Sequence, residues 1–164
     1  MIKLIVLDVD GCLTDGKIIY ASDGSEIKNF NVKDGLAISS WIKMGFQAAI
    51  ITGRNSEIVA KRAKELGISY LFQGIKDKES VLKELLERLN LKQYEVGAIG
   101  DDLNDYKMLR SVGRSFTPKD GAKEIRELVD TVLTSKGGDG AVREMIDILV
   151  DEGDLREQFM ALWL

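Results

Sequence analysis

Lys3-Leu4-Ile5-Val6-Leu7-Asp8-Val9-Asp10-Gly11 is the stretch that decides the fold. Residues 3 to 7 form a short apolar run with the length of a buried strand, and the run stops at two carboxylates set two positions apart. Similar apolar runs recur at Ala48 to Ile51, Tyr70 to Phe72 and Val96 to Ile99. Between them, Gly35 to Met44, Ser56 to Leu66 and Lys78 to Leu89 read as helices. In the second helix Ile58, Val59, Ala63 and Leu66 recur at helical spacing and Gly67 supplies the stop; in the third Val81, Leu82, Leu85, Leu86 and Leu89 share one face. Strands alternating with helices predict an α/β fold, a doubly wound parallel sheet covered on both sides.

One region breaks the alternation. Lys17 to Ala21 and Glu26 to Val32 are strand-like runs around Asp23-Gly24, so residues 17 to 32 are expected to be a β-hairpin inserted after the first strand. The 164 residues suffice for one domain, 1 to 164, with a tail over 151 to 164. The end of that tail, Phe159 to Leu164, is apolar enough to be either an interface or a last helix packed on its own domain.

Composition narrows the chemistry. Twenty-seven acidic and 23 basic side chains leave a net charge of −4 with no basic cluster, so nucleic acid is not an expected partner. No apolar run approaches the length of a membrane span, and the single cysteine, Cys12, cannot form an internal disulfide; a cytoplasmic protein without a membrane partner is expected. The chain has no histidine, which removes a Ser-His-Asp triad, a histidine-ligated zinc site and a phosphohistidine mechanism. Carboxylates are left as the candidate acids and bases.

Ligands of an open α/β sheet bind beyond the carboxyl ends of its strands, and four places qualify. Asp8 and Asp10 can together hold a divalent cation while one of them attacks phosphorus; as an isolated tetrapeptide, Asp-x-Asp-Gly would be only a turn. Thr52-Gly53-Arg54 offers a hydroxyl and backbone N–H groups for a phosphate, or equally a helix cap. Lys78 stands at a helix start, where a cation faces the positive end of the dipole; this hints at an anionic partner, although a lysine is ordinarily a solvated surface group. Gly100-Asp101-Asp102-Leu103-Asn104-Asp105 completes a hard oxygen site suited to Mg²⁺, with Asp101 nearest the strand.

Taken in order, these motifs resemble the haloacid dehalogenase superfamily of phosphotransferases, and the resemblance spans the whole chain. It implies an HAD-like Rossmannoid fold with Asp8 as nucleophile and Asp10 as general acid and base. Thr52 and Lys78 would hold the phosphoryl group, and Mg²⁺ would sit on Asp8, the Asp10 carbonyl and Asp101. A carboxylate two residues after the nucleophile favours rapid hydrolysis. A phosphoacceptor receiver domain uses similar residues, but its acidic pair ends the first strand and its phosphorylated aspartate comes later. No cap domain fits between the motifs, only the hairpin. At a finer level the chain is similar to the capless, tetrameric phosphatases of 3-deoxy-D-manno-octulosonate 8-phosphate. The matching segments include Phe30 to Gly35, Ile51 to Arg54 and Lys136 to Glu144. That likeness implies a sugar-acid phosphate substrate contacted by Asn31, Val32, Lys33, Asp34, Gly35, Arg54, Arg62 and Lys78. It also implies a homotetramer in which neighbouring subunits close each site. Ser39 stands where some members carry a basic residue, and phosphatases of nine-carbon, sialic-acid-type sugar phosphates share much of the pattern.

Overall fold

The computed structural model describes residues 1–164. Strand β1 (Leu4–Leu7) leads through a turn at Val9–Leu13 to the hairpin strands β2 (Ile19–Tyr20) and β3 (Glu26–Ile27). There follow α1 (Val32–Lys43), β4 (Gln47–Ile51), α2 (Glu57–Leu66), β5 (Tyr70–Phe72), α3 (Lys78–Leu89) and β6 (Val96–Ile99). The chain finishes with α4 (Tyr106–Ser111), β7 (Arg114–Thr117), α5 (Lys123–Leu128), β8 (Thr131–Val132), α6 (Ala141–Glu152) and α7 (Arg156–Ala161).

Six strands make one parallel sheet in the order β5-β4-β1-β6-β7-β8, and β2 and β3 pair separately as an antiparallel hairpin. Successive strand side chains point to opposite faces. Ile5 and Leu7 therefore join the core under α1, α2, α6 and α7, while Leu4 and Val6 join the one under α3, α4 and α5. This two-faced burial is why β1 is apolar at every position. The chain leaves β1 toward β4 and β5, then returns to place β6 on the other side, so β1 marks the switch in strand order. The register pairs Leu7 with Ile50 on β4 and with Ile99 on β6. Residues just beyond those three positions converge on one edge.

Two boundaries differ from the sequence reading, and the tail takes one of its two expected forms. Helix α1 begins at Val32 rather than Gly35, because Asn31 caps it: the Asn31 carboxamide oxygen accepts from the Lys33 N–H at 2.8 Å. The hairpin strands are consequently short, Ile19–Tyr20 and Glu26–Ile27, joined by a turn in which Asp23 accepts from both the N–H and the hydroxyl of Ser25. The tail contains α7, which buries Phe159 and pairs Arg156 with Asp147 and Asp151. Beyond it the Trp163 indole N–H donates to the Ser40 hydroxyl at 3.2 Å, whereas Leu164 is exposed.

Candidate active site

The converging strand ends surround a cleft of about 250 Å³ lined by Asp8, Asp10, Gly16, Thr52, Gly53, Arg54, Asp101, Asp102 and Asn104, with no apolar side chain among them. A larger groove of about 660 Å³, running past Lys83, Leu86 and Tyr94, lies at the amino-terminal approach to β6 and gathers no comparable set of carboxylates.

Asp8 follows β1 directly and is 5 % exposed. The loop after it turns sharply, with Gly11 at φ +90° and Thr14 accepting from the N–H groups of Gly11 and Gly16 through its hydroxyl. A Cβ on Gly11 would collide with the Asp101 carboxylate, so only glycine permits this approach.

Lys78, the first residue of α3, is buried rather than solvated. Its Nζ donates to Asp8 Oδ1 at 2.9 Å and to Asp105 Oδ1 at 2.5 Å. The anionic partner that its place at a helix start called for is thus a pair of the chain's own carboxylates. Burial disfavours its charged form, yet Asp8 and Asp105 outweigh that and hold its pKa above the usual lysine value. Asp105, fully buried, also accepts from the Asp101 N–H at 2.9 Å and so fixes the loop that carries Asp101.

The carboxylates crowd one another. Burial and then the nearby Asp105 push Asp8 up to about 6, against the opposing pull of Lys78. Burial, then Asp8, then Asp105 push Asp101 up to about 8. A cation bound between Asp8 and Asp101 would relieve this repulsion, so the residues present fit a divalent ion. The Cys12 sulfur lies within 4.8 Å of both carboxylates, but burial first and the surrounding carboxylates second hold its thiol well above its ordinary value. The site is therefore one of hard oxygen ligands, suited to Mg²⁺ rather than to a thiophilic ion.

Of the residues singled out in the sequence, the structure brings Asp8, Asp10, Thr52, Arg54 and Asp101 to one cleft, with Lys78 bonded beneath Asp8. It does not bring Asn31, Val32, Lys33, Asp34, Gly35 or Arg62 to that cleft within a single chain. Once α1 starts at Val32, these residues, Arg62 aside, fall at its start. Asn31 is spent on the cap, Val32 and Lys33 point to solvent, and Gly35 packs against the Arg62 guanidinium. Asp34 turns inward: its Oδ1 accepts from the Arg143 N–H at 2.9 Å, and burial pushes it up to about 6. Within a single chain the Asp34 carboxylate is thus turned toward the start of α6 rather than into the cleft.

Two participants do not stand out in the sequence. Asp105 has a faint signal, lying four positions after Asp101 in the same acidic segment. Lys28 has none. It lies just past β3, 18 positions from Asp10, yet donates to Asp10 Oδ1 at 2.6 Å.

Comparison with known proteins agrees with this geometry. Residues 71–146 match the model of the haloacid dehalogenase-like hydrolase family. The 3-deoxy-D-manno-octulosonate 8-phosphate phosphatase of Escherichia coli K12 is 40 % identical over 149 residues, 91 % of this chain and 79 % of that protein. The crystal structure of the Moraxella catarrhalis phosphatase of the same name, in complex with magnesium ion, phosphate ion and the KDO molecule, superposes with a TM-score of 0.96 at 42 % identity. The match covers 99 % of this chain and 94 % of that one. The cobalt-bound Haemophilus influenzae enzyme gives a TM-score of 0.89 at 37 % identity, covering 94 % of this chain and 91 % of that one. Fold and acidic cleft together define a haloacid dehalogenase-like hydrolase. Within that class the chain belongs to the 3-deoxy-D-manno-octulosonate 8-phosphate phosphatase family.

Proposed function

We propose that this protein is a Mg²⁺-dependent phosphatase that converts 3-deoxy-D-manno-octulosonate 8-phosphate to the free sugar acid and phosphate, a step of lipopolysaccharide precursor synthesis. The observation that carries the reading is Asp8 itself. It is a strand-end carboxylate bonded to a buried lysine, with a second carboxylate two residues on and a third, Asp101, facing it across the cleft.

An oxygen of Asp8 attacks phosphorus and the ester P–O bond breaks. Asp10 gives its proton to the departing sugar oxygen, leaving a phosphoryl group on Asp8. Asp10 then takes a proton from the water that attacks that phosphorus, and the P–O bond to Asp8 breaks. Lys78 and the Thr52 hydroxyl stabilise charge on the phosphoryl oxygens. A Mg²⁺ ion held by Asp8, Asp101 and the Asp10 carbonyl supplies further charge neutralisation when bound. Arg54, half exposed at the rim, suits the carboxylate or hydroxyls of the sugar.

A homotetramer is part of the same proposal. Ile18, Ile19, Tyr20 and Ile27 expose apolar surface on the hairpin beside the cleft, and Val32 and Leu36 do so on α1. A neighbouring hairpin laid there would close the open cleft and bring the residues of the α1 first turn to a substrate. Phosphate release is to be measured with Mg²⁺ over C6, C8 and C9 sugar phosphates, alongside the mass in solution by light scattering. Strong preference for the eight-carbon ester supports the assignment. Equal rates on all three, or preference for the nine-carbon ester, would overturn it.

A further inference from the structure

The hairpin flanks the cleft and holds one of its lining carboxylates. Lys28 follows β3, and its side chain is 2 % exposed. Its Nζ donates to Asp10 Oδ1 at 2.6 Å and lies 3.1 Å from Glu26 Oε1. The same Glu26 oxygen is 3.5 Å from Arg54 Nη2, which also donates to the Tyr20 hydroxyl at 3.3 Å. A chain of alternating charge therefore runs Asp10, Lys28, Glu26, Arg54. Its middle two members belong to the hairpin.

Asp10 has no other hydrogen-bonded side-chain partner, and it sits on a loop that turns through Gly11 at positive φ. Its carboxylate is 21 % exposed, so without a partner it could sample several rotamers at the mouth of the cleft. Lys28 removes that freedom. A lysine so buried would lose its pairing in low dielectric if it swung away, so the contact with Asp10 persists. Proton transfer to one oxygen and then from another needs the acid within hydrogen-bond reach of both in turn, which a fixed carboxylate meets and a mobile one does not.

We propose that Lys28 is the positioning residue for Asp10, holding Oδ1 so that Oδ2 is presented to the leaving-group oxygen and then to water, with Glu26 bracing the lysine. This deepens the reading of Asp10 as acid and base and rests on it. Lys28 itself neither gains nor loses a proton; Asp10 carries the proton in both steps.

The test uses the full chain with Mg²⁺, Lys28→Met and Glu26→Gln, and two esters: the sugar 8-phosphate, whose alkoxide must be protonated, and p-nitrophenyl phosphate, whose phenolate leaves without help. Lys28→Met is expected to lower kcat on the sugar phosphate by about 10- to 100-fold with KM within about twofold, a fraction of the roughly 10²- to 10⁴-fold that general acid–base catalysis provides. On p-nitrophenyl phosphate the same variant gives a burst of p-nitrophenol equal to the enzyme concentration, then slow turnover, because hydrolysis on Asp8 still needs an oriented Asp10. Glu26→Gln shifts both readouts in the same direction, by less. Equal losses on both esters without a burst would overturn the proposal, as would a raised KM with unchanged kcat. If Lys28→Met does not fold, unaltered kinetics in Glu26→Gln overturn it instead. Asp10→Asn separates the two layers. If it turns over the sugar phosphate normally, the reading of Asp10 fails; if it is inactive while Lys28→Met matches wild type, only the role of Lys28 fails.

Discussion

Replacing Lys78 with Met removes the one cation that contacts both Asp8 and Asp105, and its effect comes from burial. The lysine side chain is 1 % exposed, and both carboxylates are similarly secluded. Methionine fills much of the same volume but leaves two buried carboxylates facing each other without a counter-charge. Breaking a buried ion pair from one side costs about 3–5 kcal/mol, most of it from the charge left behind. That cost depends on pH in a definite sense. Without Lys78 the folded-state pKa of Asp8, already pushed up to about 6 by burial and its neighbours, rises further above the unfolded value. The penalty is therefore full when the pH exceeds the raised folded-state pKa, and it vanishes as the pH falls toward the unfolded value. Urea denaturation in the presence of a chelator should show Lys78→Met less stable by about 3–5 kcal/mol at pH 8, with a clearly smaller deficit at pH 5. Adding Asp105→Asn should recover part of the loss, since only one unpaired carboxylate then remains. A deficit below about 1 kcal/mol, or one equal at the two pH values, would refute the view that Lys78 is held by charge.

Asp34→Asn should have the opposite sign. Burial raises the Asp34 pKa from 3.8 to about 6, so its ionised form opposes folding. The penalty is absent below the unfolded pKa of 3.8, grows as the pH rises from there to about 6, and levels off at on the order of 3 kcal/mol above that. Denaturation at pH 8 should show the asparagine variant more stable than wild type, with little difference at pH 4; the same gain at both would contradict it. Gly11→Ala should abolish Mg²⁺ binding measured by calorimetry, because the residue has φ +90° and its new Cβ would displace the Asp101 carboxylate. Saturating Mg²⁺ at about 100 times its Kd should stabilise the wild type against urea by about 2.7 kcal/mol, and Asp101→Asn should lose most of that gain.

Burial on two faces forces a continuous apolar run, and there the sequence is most informative. The apolar runs coincide with β1, β4, β5 and β6 almost to the residue, and the polar residues directly after β1, β4 and β6 carry the chemistry. β7 and β8 escape notice because Arg114-Ser115-Phe116-Thr117 and Thr131-Val132 are short edge-side segments with little apolar length. The start of α1 is displaced because Asn31 caps the helix through a side-chain bond that the apolar pattern does not encode. Lys78 stands out only as a cation in an unfavourable place, since its partners lie 70 and 27 positions away. Lys28 gives no signal at all: a lysine after a hairpin strand looks like surface, and only the tertiary fold turns it toward Asp10. The fold is thus legible from local patterns, and the strand-end half of the site with it. The charge network beneath and beside Asp8 depends on contacts across the chain.

Everything proposed for the reaction depends on a phosphoryl group passing through Asp8, and that is best tested by catching it. Asp10→Asn mixed with p-nitrophenyl phosphate and Mg²⁺, quenched in acid and analysed by peptide mass spectrometry, should carry one phosphoryl group on the peptide containing Asp8. The adduct should decay slowly and be absent when Asp8→Asn is added to the same chain. Release of p-nitrophenol with no adduct on Asp8, or an adduct that persists in the Asp8→Asn chain, would contradict the account.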